Sequence, residues 1–355
     1  MVQFSLATVA TVAAFFSRPI FAHPGHDISA EIAERAALLP SMQYRNLDHC
    51  AGKLQARAAS MIERRKARVE HLRMKRSITK RDFDTVLNTD HESNKCVTPY
   101  SPSDVIFGQN SSCILLPETT EGPYWVSGEY VRENITDGDP GVPLTFDVQI
   151  IDITTCEPLK NVALEAWHCN STGVYGGIVS PGNGNTDDAS NINNTMFRGI
   201  QISDDDGVLQ FDTAFPGHYT NRTSHIHILA HINATMNLAN STISGGHVSH
   251  VGQLFFDQDL INAVESVAPY TTNQQVLLPN AEDGILEEVA ADSDPVMNYV
   301  YLGDTVEEGI FGWITVGLNP NAVTTPSAAA YLDANGGHEI PGGGNWGPGP
   351  RPSGV

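Results

Sequence analysis

Two tyrosines and two histidines could do chemistry in this chain: Tyr175, Tyr219, His225 and His227. The last three fall in the run Pro216-Gly217-His218-Tyr219-Thr220-Asn221-Arg222-Thr223-Ser224-His225-Ile226-His227. Two phenol oxygens and two imidazole nitrogens make a hard, anionic, mixed O/N donor set. Such a set suits ferric iron better than zinc, which prefers Cys and His in a tetrahedron. In a strand, alternate side chains share a face. His225, His227, Leu229 and His231 would then line one face, and Ile226, Ile228, Ala230 and Ile232 the other. A bare His-x-His pair in a strand is more often structural than a chelate, and the neighbours are what favour the chelate here. Pro216-Gly217 adds a tight turn that can swing Tyr219 back over the histidines. Asn170-Ser171-Thr172-Gly173 is a second turn, just before Tyr175.

The elements that must position these residues read as short strands. From Cys113 onward, apolar or alternating runs are bounded by Gly, Pro, Asn and Asp. They cover residues 144–153, 162–167, 208–211, 253–256 and 309–316. This texture predicts a mostly β domain, an antiparallel β-sandwich, over residues 96–320. Residues 259–267 are the one convincing short helix in this half. Ahead of the sandwich, residues 23–95 form an N-terminal helical segment, in which Leu47, Ala51, Leu54, Ala58, Met61, Ile62, Val69 and Leu72 recur at helical spacing among Arg and Lys. Three readings of it stay open: a helix packed on the main domain, a seam in a homodimer, or a propeptide cut at Arg64-Arg65, Lys75-Arg76 or Lys80-Arg81. The Gly/Pro-rich tail, residues 321–355, is expected to be disordered.

Composition narrows the class. The apolar run near residues 9–16, followed by Pro19-Ile20-Phe21-Ala22, reads as a signal peptide over residues 1–22 and predicts a secreted, extracellular protein. Seven Asn-x-Ser/Thr sequons, at Asn110, Asn134, Asn170, Asn193, Asn221, Asn233 and Asn240, fit a glycoprotein. Cys50, Cys96, Cys113, Cys156 and Cys169 contain no C-x-x-C pair, so disulfides are the expectation and their connectivity stays open. The formal net charge is −21, yet residues 1–81 hold 14 of the 20 Lys/Arg and 6 of the 41 Asp/Glu. The remainder is strongly acidic. Such a surface repels nucleic acid and anionic membranes, so neither is expected as a partner.

The ordered motifs resemble those of the intradiol ring-cleavage dioxygenases, which open catechol rings between the two hydroxyls. The family's Trp-x-x-Asn-x-x-Gly-x-Tyr pattern is met by Trp167 to Tyr175, and its Pro-Gly-x-Tyr followed by Arg-x-x-His-Ile-His by Pro216 to His227. Thr120-Glu121-Gly122-Pro123-Tyr124 and Gln253-Leu254-Phe255-Phe256 match two further elements. The order agrees over about residues 113–318. The resemblance implies a non-haem Fe(III) cofactor held by Tyr175, Tyr219, His225 and His227. It implies a catechol-type substrate, O2 as co-substrate and muconic acid products. It makes Tyr219 the ligand that leaves and acts as a base. Arg222 and Gln253 would stand beside the ring. Read without the resemblance, Arg222 could pair with a surface carboxylate and Gln253 could be an ordinary strand residue. Tyr124 either lines the pocket or packs. Trp167, Phe211, Phe215, Phe255 and Trp313 read as core, and His231 as no ligand. A secreted β-sandwich that binds a metal or a phenol without turnover is the rival in another class.

Overall fold

The computed structural model describes residues 33, 37–77, 112–114 and 122–343, apart from 292. The signal-peptide reading, Lys80-Arg81, Cys96, Asn110, Thr120, Glu121 and residues 344–355 lie outside the described residues.

Helix α1 (Ala51–Lys75) comes first, then strands β1 (Ser112–Ile114), β2 (Val126–Ser127), β3 (Pro143–Asp152), β4 (Ala163–Trp167), β5 (Arg198–Ile202) and β6 (Val208–Ala214). After these come β7 (His225–Ile232), β8 (Thr235–Asn237), β9 (Thr242–Ser244) and β10 (His247–Phe255). Helices α2 (Gln258–Glu265) and α3 (Gly284–Ala290) follow, then β11 (Asn298–Tyr301), β12 (Ile310–Leu318), β13 (Ala330–Asp333) and β14 (Gly336–Glu339).

Two sheets make the sandwich. One is antiparallel throughout, in the order β10-β7-β4-β5. The other is mixed: β12 runs parallel to β3 and to β1, while β3–β6 and β11–β12 are antiparallel. The domain is thus mostly β as expected, with parallel pairs that strand texture alone does not reveal. Between the sheets, Phe146, Val148 and Ile150 of β3 meet Ile226, Ile228 and Ala230 of β7, with Leu164, Phe211 and Ile314. The period-two reading of β7 is therefore correct: its isoleucines face this core, and its histidines face outward from it.

Strand β3 is buried on both faces, because α1 covers the outer side of the mixed sheet. Val69 and Leu72 of α1 pack on Val300, Leu302, Phe311 and Trp313. At the other end of α1, Cys50 is disulfide-bonded to Cys156. Arg65 is buried, pairs with the buried Asp147 at 3.4 Å and lies 5.5 Å from the centroid of the Trp313 ring. The helix that sequence left between three readings is thus packed on its own domain.

Two expectations need correction. Residues 259–267 are not the one helix of this half, since Asp283 caps a second, α3, by accepting from the amides of Ile285 and Leu286. The tail is not disordered from residue 321: β13 and β14 form a hairpin that extends β2, with β13 running parallel to it. Its glycines favour this, because Gly336 has φ +112°, open to residues without a Cβ.

Candidate metal centre

The four predicted ligands converge on the outer face of the antiparallel sheet. Tyr175, Tyr219, His225 and His227 are all buried. His225 Nε2 lies 3.0 Å from His227 Nε2 and 3.4 Å from Tyr219 Oη. The Tyr175 ring centroid is 5.5 Å from that of Tyr219 and 6.1 Å from that of His227.

Each side chain is aimed by identifiable neighbours. His225 Nδ1 donates to the Thr223 carbonyl at 2.6 Å, which leaves Nε2 with its lone pair. His227 is stacked on Trp167, 5.0 Å between centroids and 9° apart. Burial lowers its pKa well below the ordinary histidine value, with the charges of its neighbours acting in the same direction, so its imidazole is neutral as a ligand must be. Tyr175 is fixed through its backbone. Asn183 accepts from the Tyr175 amide at 2.7 Å and donates to its carbonyl at 2.8 Å, and Asn191 donates to the same carbonyl at 2.8 Å.

The two tyrosine-bearing loops touch. Gly217 makes this possible: a Cβ there would stand 2.5 Å from the Asn170 carbonyl oxygen and 2.7 Å from that of Ser171. Gln275 ties the loops together, accepting from the Thr220 amide at 2.8 Å and donating to the Thr172 carbonyl at 3.0 Å. Asn273 adds bonds to the carbonyls of His218 and Ser171.

Arg222 lies inside the site. It donates to Asp283 Oδ2 at 2.8 Å and to Gln253 Oε1 at 2.5 Å, and its Nη1 is 3.4 Å from His225 Nε2. Its carboxylate partner is therefore buried, and the surface pairing is set aside. Gln253 sits opposite His227 in the β10–β7 register. Tyr124 both lines and packs, with its ring 4.7 Å from Tyr175 and 6.0 Å from Tyr219. Phe211 and Phe215 lie in the main core and Trp313 beneath α1, whereas Trp167 belongs to the cluster around the site. His231 Nε2 meets Glu165 Oε2 at 3.0 Å and is no ligand. Cys169 is a buried free thiol whose Sγ donates to the Gly217 carbonyl at 3.4 Å.

These residues fit a cation. Two imidazoles face each other through their Nε2 atoms at hydrogen-bond distance. Without an ion, that contact is satisfied only if His227 donates; a cation in place of the proton takes both lone pairs. Tyr175 Oη is buried and has no hydrogen-bond partner. A buried orphan hydroxyl costs about 1–3 kcal/mol, which binding an ion would relieve. Burial pushes both phenols well above their ordinary pKa of 10. Ionising them therefore requires a strong positive charge at the oxygens themselves.

Sequence reasoning did not find Asp283, Asn183, Asn191, Asn273, Gln275 or Arg198. Asp283 carried a readable signal, since Asp-Gly before Ile285-Leu286 is a helix N-cap pattern. The others act through contacts between segments far apart in the chain.

Residues 120–293 match the family model described as Dioxygenase. Similar solved structures include an intradiol ring-cleavage dioxygenase from Tetranychus urticae: 28% identity, 60% of this chain and 98% of that one, TM-score 0.49. The dioxygenase domain of a carbohydrate-binding fusion protein from Streptomyces sp. SirexAA-E shares 26% identity over 58% of this chain and 98% of its own, TM-score 0.37. A catechol 1,2-dioxygenase from Acinetobacter sp. ADP1 shares 20% over 63% and 66%, TM-score 0.33. No curated protein matches the chain. Over residues 120–293, where this family model matches and the two tyrosine motifs stand in order, the chain carries the domain of the intradiol ring-cleavage dioxygenases, ring-opening oxidoreductases of catechol-type compounds.

Proposed function

We propose that this protein is a secreted non-haem Fe(III) dioxygenase that cleaves a catechol between its two hydroxyls and releases a muconic acid. The observation that carries this reading is the closed O/N donor set: Tyr175 Oη buried without a partner, and the Nε2 atoms of His225 and His227 3.0 Å apart. Tyr175, Tyr219, His225 and His227 would hold the ion, which supplies Lewis acidity that draws electron density from a bound catecholate. Both atoms of O2 enter the product, so catechol plus O2 gives cis,cis-muconic acid with no other reductant.

The chain's own residues have separable roles. Tyr219 Oη, 3.4 Å from His225 Nε2, is placed to take a proton from an entering hydroxyl. Arg222, with Nη1 beside His225 Nε2, offers a fixed positive charge where negative charge develops on the ring oxygens. Asp283 and Gln253 hold that guanidinium still. Tyr124 and Trp167 wall the site and exclude water. The Cys50–Cys156 disulfide supports the secreted reading, since such bonds persist in oxidising compartments.

The test is iron content and visible spectrum of the purified protein, before and after anaerobic catechol, followed by admission of O2. One iron per chain, a tyrosinate band that moves on adding catechol, and a muconate product are expected. A protein that stays colourless after ferric reconstitution would sink this reading and leave a phenol- or metal-binding β-sandwich.

A further inference from the structure

Each phenol of the site has a buried guanidinium near it, and the two are not equivalent. Arg222, on the Tyr219 side, meets Asp283 at 2.8 Å. Arg198, on the Tyr175 side, is fully buried, and its Cζ lies 5.8 Å from the centroid of the Tyr175 ring. Its Nε donates to the Gly176 carbonyl at 2.7 Å and its Nη2 to the Tyr124 carbonyl at 2.6 Å. One planar group thus grips the residue after Tyr175 and the backbone of the ring that packs on Tyr175. Its Nη1 is buried without a partner. The carboxylate nearest to it, Glu129, stands 3.9 Å from Nε, beyond hydrogen-bond reach, and Glu129 Oε2 is also without a partner. Burial pushes the Glu129 carboxyl up to about 8, against the pull of Arg198, so near neutral pH this acid compensates the guanidinium little, and Glu165 acts on it as a weaker negative neighbour. A buried charge without a close counter-charge is costly. The carbonyls of Gly176 and Tyr124 accept from Nε and Nη2 but do not neutralise the charge.

We infer that Arg198 is a positioning residue for the metal centre: by gripping the Gly176 and Tyr124 carbonyls it holds Tyr175 against Tyr124, and it sets a fixed positive charge beside the Tyr175 ring. The inference rests on the ferric reading above. The charge of Arg222 also reaches the Tyr175 phenol, but its N–H groups go to Asp283 and Gln253, so it does not hold the Tyr175 loop.

The test compares wild type with Arg198→Met, Arg198→Gln and Arg198→Lys after identical loading with Fe(III), without substrate. It reads iron retention and the position of the tyrosinate-to-iron band. A phenolate that loses a nearby cation donates electrons more readily, so its band moves to lower energy. The Met and Gln variants are expected to absorb at longer wavelength and to hold iron about 10-fold less tightly. Arg198→Lys keeps the charge, so its band is expected close to wild type. Should Arg198→Met fail to fold, Arg198→Gln, which can still donate to a carbonyl, gives the same reading. Neutral variants that lose heat stability but keep the wild-type band overturn the inference, because lost packing alone does not move it. A Lys band displaced as far as the Gln band overturns it as well. Wild type that takes up no iron overturns the ferric reading and this inference together, whereas iron-loaded wild type with insensitive variants overturns only the part given to Arg198.

Discussion

Asp283 balances charge beside the site and builds a helix at the same time. Its Oδ2 accepts from Arg222 Nε and from the Thr223 amide, while Oδ1 caps α3. Asp283→Asn would keep an N-capping oxygen but remove the counter-charge of a fully buried guanidinium. Breaking one side of a buried pair costs about 3–5 kcal/mol. Urea unfolding of this variant should therefore show a loss of that order, together with weakened activity on catechol. A loss below 1 kcal/mol, as for an exposed pair, would mean that Arg222 finds another partner.

At the scale of elements, α1 is held in three ways: an apolar seam, a disulfide and a ladder of ion pairs. Lys53 and Arg57 reach Glu157, Arg64 reaches Asp204, and Arg68 reaches Glu133 and Asp212. These pairs are partly exposed and individually weak. The disulfide spans a sequence separation of 106 residues, and closing so long a loop restricts the unfolded chain strongly. The double variant Cys50→Ser/Cys156→Ser should lose about 2–5 kcal/mol of unfolding free energy while α1 stays docked through Val69, Leu72 and Arg65. Hydrogen exchange checks the second part: protection of α1 amides should persist, and its complete loss would show that the seam cannot hold the helix alone. Arg64-Arg65 is a poor cleavage site in the folded protein, since Arg65 is buried in mid-helix.

At the scale of the whole molecule, charge is divided rather than dispersed. The basic helix lies across an acidic body, so the −21 of the chain is a sum of two opposed parts in contact. Global stability should also carry a pH dependence set in the interior. The Glu129 carboxyl is raised by burial from 4.5 to about 8. Below 4.5 it is protonated in both states and imposes no penalty. Between 4.5 and 8 the unfolded chain releases the proton while the folded chain keeps it, so stability falls as pH rises and the cost is complete above 8. Glu129→Gln removes this linkage. Its Tm relative to wild type should rise steadily from pH 5 to pH 8; a difference independent of pH would show that the carboxyl titrates normally.

Much of the site was legible in sequence because its chemistry is local in the chain. His225 and His227 share a strand face by the period of two, and the turns at Asn170–Gly173 and Pro216-Gly217 announce the loops that carry Tyr175 and Tyr219. The apolar alternation of β3, β4 and β7 likewise foretold a mostly β sandwich. What the chain did not disclose depends on long-range packing. Parallel pairing of β12 with β3 and β1 rests on register between distant strands. The docking of α1 rests on which sheet face stood uncovered. The buried partners Asp283, Asn183, Asn191, Gln275 and Arg198 are ordinary polar residues in sequence. Only the fold takes water away from them and brings them within hydrogen-bond reach, so only the fold decides that they serve the site. Residue types and short spacings fixed which atoms could hold a metal; the tertiary structure decided how those atoms are aimed, charged and sealed from solvent.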